Sequence, residues 1–315
     1  MLLEVTHETR YRYSAPVSLA HHLAHLQPRA DAHQRLLEHT LQVEPETAAP
    51  QPGVDAHGNR CAWFSLTRPH DQLAVRSRSR VELLPRYGGF DPQASPPWDM
   101  LAERLRYVAR APFDPAVEFA LPSPYVPRLD LLRAYALPSF PPGRPVALGA
   151  IDLMQRIHAD FEYRSASTQI DTPLAQAFAQ KAGVCQDFAH LMAGAMRMLG
   201  LPVRYVSGYL LTRPPGEAVD RVGADASHAW VQVYTPATPG VPGDWLDLDP
   251  TNDMIPDTAH VRVAVGRDFG DVTPLRGVIR GGGRHTLAVD VKTRVLDDMP
   301  GPLVALPNDE EKSRP

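Results

Sequence analysis

Hydrophobic spacing lengthens part-way along this chain, from every second residue to every third or fourth, and no single kind of layer accommodates both. Over residues 1–85 the runs alternate: Glu4 to Tyr13, Leu36 to Val43, Cys61 to Leu66 and Leu73 to Leu84. A period of two puts alternate side chains on one face of a strand. Pro45, Pro50-Gln51-Pro52-Gly53 and Asp55-Ala56-His57-Gly58-Asn59 separate the runs as turns. Several short strands so spaced predict a sandwich-like β domain. From Ala147 onward Ile151, Met154, Ile157 and Phe161 recur at helical spacing and share a face. With 315 residues, comfortable for two units, the fold class expected is α+β.

Between these regions, residues 86–146 are crowded with proline, as in Ser95-Pro96-Pro97, Leu121-Pro122-Ser123-Pro124 and Pro138 through Pro145. Two helical pieces, near 98–108 and 128–136, interrupt the stretch. Its apolar anchors Leu101, Leu105, Leu132 and Tyr135 make it an ordered connector. A second core helix follows Cys185. Phe188, Leu191, Met192, Ala195 and Leu199 form its apolar side, and Gly200 and Pro202 stop it. Strands are expected over 203–211, 227–235 and 245–249, with a polar, mobile loop over 212–226. Gly281-Gly282-Gly283 lacks the lysine and context of a phosphate loop and reads as a hairpin turn before a strand over 286–295. The organisation expected is a β domain at 1–85, the connector at 86–146, a catalytic core at 147–265, a C-terminal β segment at 266–300 and a disordered tail at 301–315.

A net charge of -4 gives no electrostatic reason to expect nucleic acid or an anionic membrane as partner. No apolar run approaches the roughly 18 residues of a membrane span, and Met1 to Tyr13 lacks the pattern of a signal peptide. The expected location is the cytoplasm. Two cysteines, Cys61 and Cys185, cannot build a disulfide framework or a four-cysteine zinc site. Cys61 neighbours Trp63 and Phe64 in a strand-like run and reads as a core thiol.

Cys185 differs. In Gly183-Val184-Cys185-Gln186-Asp187-Phe188 the glycine ends a loop and the helix begins at or beside the cysteine. There the helix dipole and unpaired N–H groups favour thiolate and can bind an oxyanion. A thiolate nucleophile needs a base that later protonates the leaving amine. Ser227-His228-Ala229-Trp230-Val231-Gln232-Val233-Tyr234 offers His228, on a face with Trp230, Gln232 and Tyr234. Ala229, Val231 and Val233 would pack on the core, leaving the His228 face as the site. Trp245-Leu246-Asp247-Leu248-Asp249-Pro250 offers a carboxylate to orient the imidazole. Asp249, ending the strand against Pro250, is the first choice, and Asp247 the alternative.

At these residues the chain resembles the transglutaminase-like superfamily, and more narrowly its bacterial members with an added N-terminal β domain. The resemblance rests on Asp171-Thr172-Pro173-Leu174, Gly183 through Ala189, Arg204-Tyr205-Val206-Ser207-Gly208-Tyr209, His228-Ala229-Trp230 and Asp249-Pro250-Thr251-Asn252. Tyr11-Arg12-Tyr13, Gly58-Asn59 and Gly266 through Val272 extend it more softly. It implies a papain-like core, a helix bearing the nucleophile packed on an antiparallel sheet. It also implies Cys185 as nucleophile, His228 as base and acid, and Asp249 as orienter. Relatives include transglutaminases, peptidases and inactive proteins.

The expected activity is therefore attack on peptide or isopeptide-type amides through a thioester on Cys185. Hydrolysis is favoured because water is abundant. The alternatives are amine-accepting acyl transfer and non-catalytic peptide binding. A peptide or protein is the expected partner, and no cofactor or metal is expected. Gln186, Asp187, Trp230 and Tyr209 are candidates for the cleft wall or the layer behind it. His190, five residues past Cys185, falls off that helix face and reads as packing. His21, His22 and His25 lack acidic or cysteine partners at metal-binding spacing.

Overall fold

The computed structural model describes residues 1–110, 112–165, 167–214, 220–223 and 227–296. The tail expected over 301–315 lies outside the described residues, as does much of the loop over 212–226. In the first part of the chain lie β1 (Leu2–Ala24), β2 (Gln34–Glu44), β3 (Gln51–Val54), β4 (Arg60–Leu66) and β5 (His70–Leu83). The connector carries α1 (Trp98–Arg104) and α2 (Asp130–Ala136), both shorter than expected. Then come α3 (Val146–Asp160), β6 (Glu162–Tyr163), α4 (Leu174–Gln180), β7 (Ala182–Gly183) and α5 (Cys185–Arg197). The rest is β8 (Val203–Leu210), β9 (His228–Tyr234), β10 (Trp245–Leu248), β11 (His260–Gly266), α6 (Phe269–Val272), β12 (Leu275–Gly281) and β13 (His285–Val295). No helix among the described residues is long and apolar enough to cross a membrane.

β1 outruns the alternation visible at Glu4–Tyr13 and organises a seven-stranded antiparallel sheet. Along one edge of β1, β4 pairs with Ala20–Ala24 and β5 continues from Val17 down to Leu2. Along the other edge, β12 pairs with residues 17–24 and β13 with residues 3–13. β12 and β13 therefore run in one direction. The Gly281–Gly283 run is not the expected hairpin turn but a kink inside an edge strand. Its three glycines have φ of +96, +89 and +61, a region costly for side chains. Gly282 exchanges backbone hydrogen bonds with Ala15 and Pro16 across the break. The β1–β5 register shifts at the same level, between Arg12 and Val17. With all three strands interrupted together, the sheet bends there around a small core that includes Val17, Ala20, Phe64, Leu66, Leu73 and Val75. β12 and β13, distant in sequence from the first domain, thus complete its sheet.

Alternation along β1 gives the sheet two unlike faces. Glu4 pairs with Arg78, Arg80 and Arg294, and Glu8 with Arg10 and Arg76, on the outer face. Leu3 and Val5 on the inner face join Val81 and Leu83 in the main core, which continues into α3, α5 and β8 to β10. The second unit is an antiparallel sheet, ordered β10-β9-β8-β11, with α5 packed on β8 and β9. This is the α+β, papain-like arrangement expected, with a helix beginning at Cys185 on an antiparallel sheet. β11 was not among the three expected strands. Its residues are all buried, and Gln34 and Asn59 of the first domain bond to its backbone at Arg262 and Val265.

Candidate active site

β7 delivers the chain to Val184, which turns it into α5, so Cys185 is the first residue of a 13-residue helix. N–H groups of a first helical turn lack intrahelical acceptors and carry the positive end of the dipole. Asp187 holds this turn in place. Its Oδ2 accepts from the Val184 N–H at 2.8 Å and the Thr168 hydroxyl at 2.6 Å. Burial raises the Asp187 carboxyl's pKa, against the pull of those two bonds. Asp187 is thus a helix cap.

His228 opens β9 and is buried. Its Nε2–H donates to Asp249 Oδ2 at 2.8 Å, which leaves Nδ1 without a hydrogen bond among the described residues, on the cavity that Cys185 also lines. Burial alone would lower the imidazole's pKa. The Asp249 charge and hydrogen bond, and then the Cys185 thiol, outweigh burial and raise it to about 10. Gly223 covers this pair. A Cβ there would come within 2.8 Å of His228 Nδ1 and 3.6 Å of Cys185 Cβ, and the residue has φ of +86. Asn252 fixes the neighbour of Gly223 by accepting from the Val222 N–H at 3.0 Å.

Asp249 follows β10 and accepts hydrogen bonds on both oxygens. Oδ1 takes the Thr251 N–H at 2.9 Å and the Asn252 N–H at 3.3 Å. Oδ2 takes His228, Asn252 Nδ2 at 2.8 Å and His260 Nε2 at 3.2 Å. Burial pushes this carboxyl up, but the histidines hold it well below the usual carboxylate range. Asp247, the alternative orienter, is committed elsewhere. It accepts from Trp230 Nε1 at 2.8 Å and the Tyr87 hydroxyl at 2.6 Å. His228, Asp249 and His260 bring three ligand-type atoms within 4.8 Å of one another. Two of these atoms, the Nε2 nitrogens of His228 and His260, sit at hydrogen-bond distance from one oxygen of Asp249.

Cys185 and His228 open onto a cavity of about 380 Å³. Tyr205, Ser207 and Ala229 line one side, so the α5-facing side of β8 and β9 contributes to the site, which the expectation of an open His228 face had missed. Gln186 lies on the rim and donates to the Ile170 carbonyl at 3.1 Å. Strands β1 and β13 supply the opposite wall.

Residues 3–82 match the model of the bacterial transglutaminase-like N-terminal region, and residues 144–250 match that of the transglutaminase-like superfamily. The chain belongs to the transglutaminase-like superfamily. An uncharacterized Mycobacterium tuberculosis protein is 40% identical over 294 residues, covering 93% of this chain and 91% of that one. A solved Cytophaga hutchinsonii structure, described as a "Putative Cysteine Protease", shares the fold at a TM-score of 0.69 and 21% identity, covering 97% of this chain and 94% of that one. A Pseudomonas aeruginosa protein-glutamine gamma-glutamyltransferase is 32% identical over 118 residues, which is 36% of this chain and 17% of that protein.

In this transglutaminase-like chain, the other candidate residues lie behind the cavity. Trp230 is wholly buried and stacks on His228 at 6.0 Å between ring centroids. Tyr209 is also buried, and its hydroxyl meets His7 Nδ1 at 3.2 Å. His190 packs between Tyr125 and Tyr205, and burial followed by Arg197 lowers its pKa to about 3. Cys61 is a buried thiol whose pKa burial raises. His21, His22 and His25 do not converge. They meet the Ser65 hydroxyl, the Phe64 ring and Asp55 respectively. His260 and Gly223 also belong to the site, though neither was among the residues expected from the sequence. For His260 the available signal was the alternation of His260-Val261-Arg262-Val263 just beyond Asp249.

Proposed function

We propose that this protein is a cysteine peptidase or amidase that passes through a thioester on Cys185. The observation that carries the reading is the placement of His228, bonded to Asp249 through Nε2 with its unbonded Nδ1 in the same cavity as Cys185, both within 4 Å of where a Gly223 Cβ would sit. In the forward step the Cys185 thiolate adds to the amide carbonyl, and first-turn N–H groups of α5 stabilise the oxyanion. The C–N bond breaks as the His228 imidazolium protonates the departing amine. Neutral His228 then takes a proton from water, hydroxide adds to the thioester, and collapse releases the free acid and the Cys185 thiolate. Asp249 keeps the imidazole in the tautomer this requires.

Amine transfer is the second reading, favoured by the partial identity to the Pseudomonas aeruginosa glutamyltransferase. Its thioester is opened by an amine instead of water, with the same proton traffic through His228. Incubating the protein and a peptide amide with a fluorescent primary amine separates the two readings. Free acid as the main product supports hydrolysis, and amine incorporated as the main product overturns it. Whether the thiol is activated is tested by its alkylation rate between about pH 5 and 9 in the native protein and in His228→Ala. Identical profiles would sink both catalytic readings.

A further inference from the structure

Across the β1–β13 ladder Thr9 pairs with Val289, and Tyr11 with Leu287. Period-two geometry puts these four side chains on one face, and that face is the cavity wall opposite Cys185 and His228. β1 is hydrogen-bonded on both edges, to β5 and to β13. Its backbone therefore has nothing to offer an incoming strand, and a substrate on the face of this wall meets side chains.

The rest of the lining has the same character, with Ile170, Phe269, Pro274 and Leu275 beside hydroxyls, and no Asp, Glu, Lys or Arg among the described residues. His7, also in the lining, adds no charge at neutral pH. Burial lowers its pKa to about 4, and its ring nitrogens meet the hydroxyls of Thr9 at 2.9 Å and Tyr209 at 3.2 Å. A charged side chain seated on the β1–β13 wall would lose water, and among the described residues of that wall it would meet no opposite charge. An apolar group is driven in by the same loss of water. A volume of about 380 Å³ falls in the range of sites that enclose a small ligand.

Resting on the reading of Cys185 as nucleophile, we propose that the acyl donor is a peptide whose residue at the scissile carbonyl has a neutral aromatic or branched aliphatic side chain, seated on the Thr9–Val289 and Tyr11–Leu287 wall. The thioester formed on Cys185 then carries that side chain, while the departing amine leaves away from the wall.

The test uses the full chain and four peptidyl amides with one fluorogenic amine as leaving group. They differ only in the residue before the scissile bond: phenylalanine, leucine, glutamate or lysine. The expected kcat/KM is at least about tenfold higher for the first two than for either charged peptide. Leu287→Lys, at a side chain 47% exposed and so tolerant of charge, shifts the preference toward glutamate by about tenfold. Iodoacetamide alkylation of Cys185, with and without His228, runs in parallel because that reagent has no side chain to read. His228-dependent alkylation with glutamate or lysine peptides cleaved as fast as leucine overturns the substrate class and leaves the catalytic reading standing. His228-dependent alkylation with no cleavage of any of the four also overturns it. Alkylation indifferent to His228 removes the catalytic reading itself.

Discussion

Asp249 holds two imidazoles on one oxygen, and substituting it separates its contribution from that of the thiol. Asp249→Asn keeps the shape but removes the charge and favours the wrong histidine tautomer. Peptide-amide turnover is expected to fall by about a hundredfold to ten-thousandfold, measured as kcat. His260→Gln retains an amide N–H donor to Asp249, and the expected loss is smaller, about tenfold. The pair also carries a pH signature. His228 rises from its ordinary 6.5 to about 10, so its stabilisation is full below 6.5 and is lost as pH climbs through about 10. Asp249 is held below its ordinary 3.8, so its stabilisation is present above 3.8 and is lost in strong acid. The difference in thermal midpoint between the native protein and Asp249→Asn should be widest between pH 3.8 and 6.5 and shrink toward pH 10. A difference that grows on the alkaline side contradicts this account. Cys185, His228 and Asp249 were legible in the sequence because each sits where a local signal marks the end of an element: Gly183 before a helix, Ser227 before an alternating run, Pro250 after one. Gly223 was not, because its role exists only through contacts between segments separated along the chain, and for His260 the alternation marks a strand but not its meeting with Asp249.

At the scale of elements, α5 depends on a carboxylate three residues inside it. Asp187→Ala removes the acceptor of the Val184 N–H and the Thr168 hydroxyl. It should cost about 1–2 kcal/mol, read from the urea midpoint at unchanged slope. A neutral result would mean that the helix start is held by something else. Elements were readable where period and punctuation agreed, as in α3, α5 and β9. They were misread where one local signal serves two geometries. Three consecutive glycines suit a tight turn and a strand kink equally well. Only the pairing of β12 and β13 with the same edge of β1 decides between them. β11 does not stand out in the sequence because it forms an edge of the four-stranded sheet that the first domain covers, so both of its faces are buried.

For the whole molecule, the division into a leading β domain and a catalytic core describes the sequence better than the packing. Leu3, Val5, Val81 and Leu83 belong to the same core as Phe188, Met192 and Leu246. Residues 147–265 expressed alone should therefore show no cooperative unfolding transition by calorimetry, whereas the full chain should show one. A sharp transition in the fragment would establish the core as self-sufficient. The placement of β13 has a further consequence for synthesis. A ribosome emits β1 before β13, with Cys185, His228 and Asp249 between them. The Thr9–Val289 and Tyr11–Leu287 pairs close only when residues 285–295 have left the exit tunnel. The growing chain thus carries the Cys185 thiol for some time before it has the wall across the cavity from it, and translation itself sets the order in which that cavity closes.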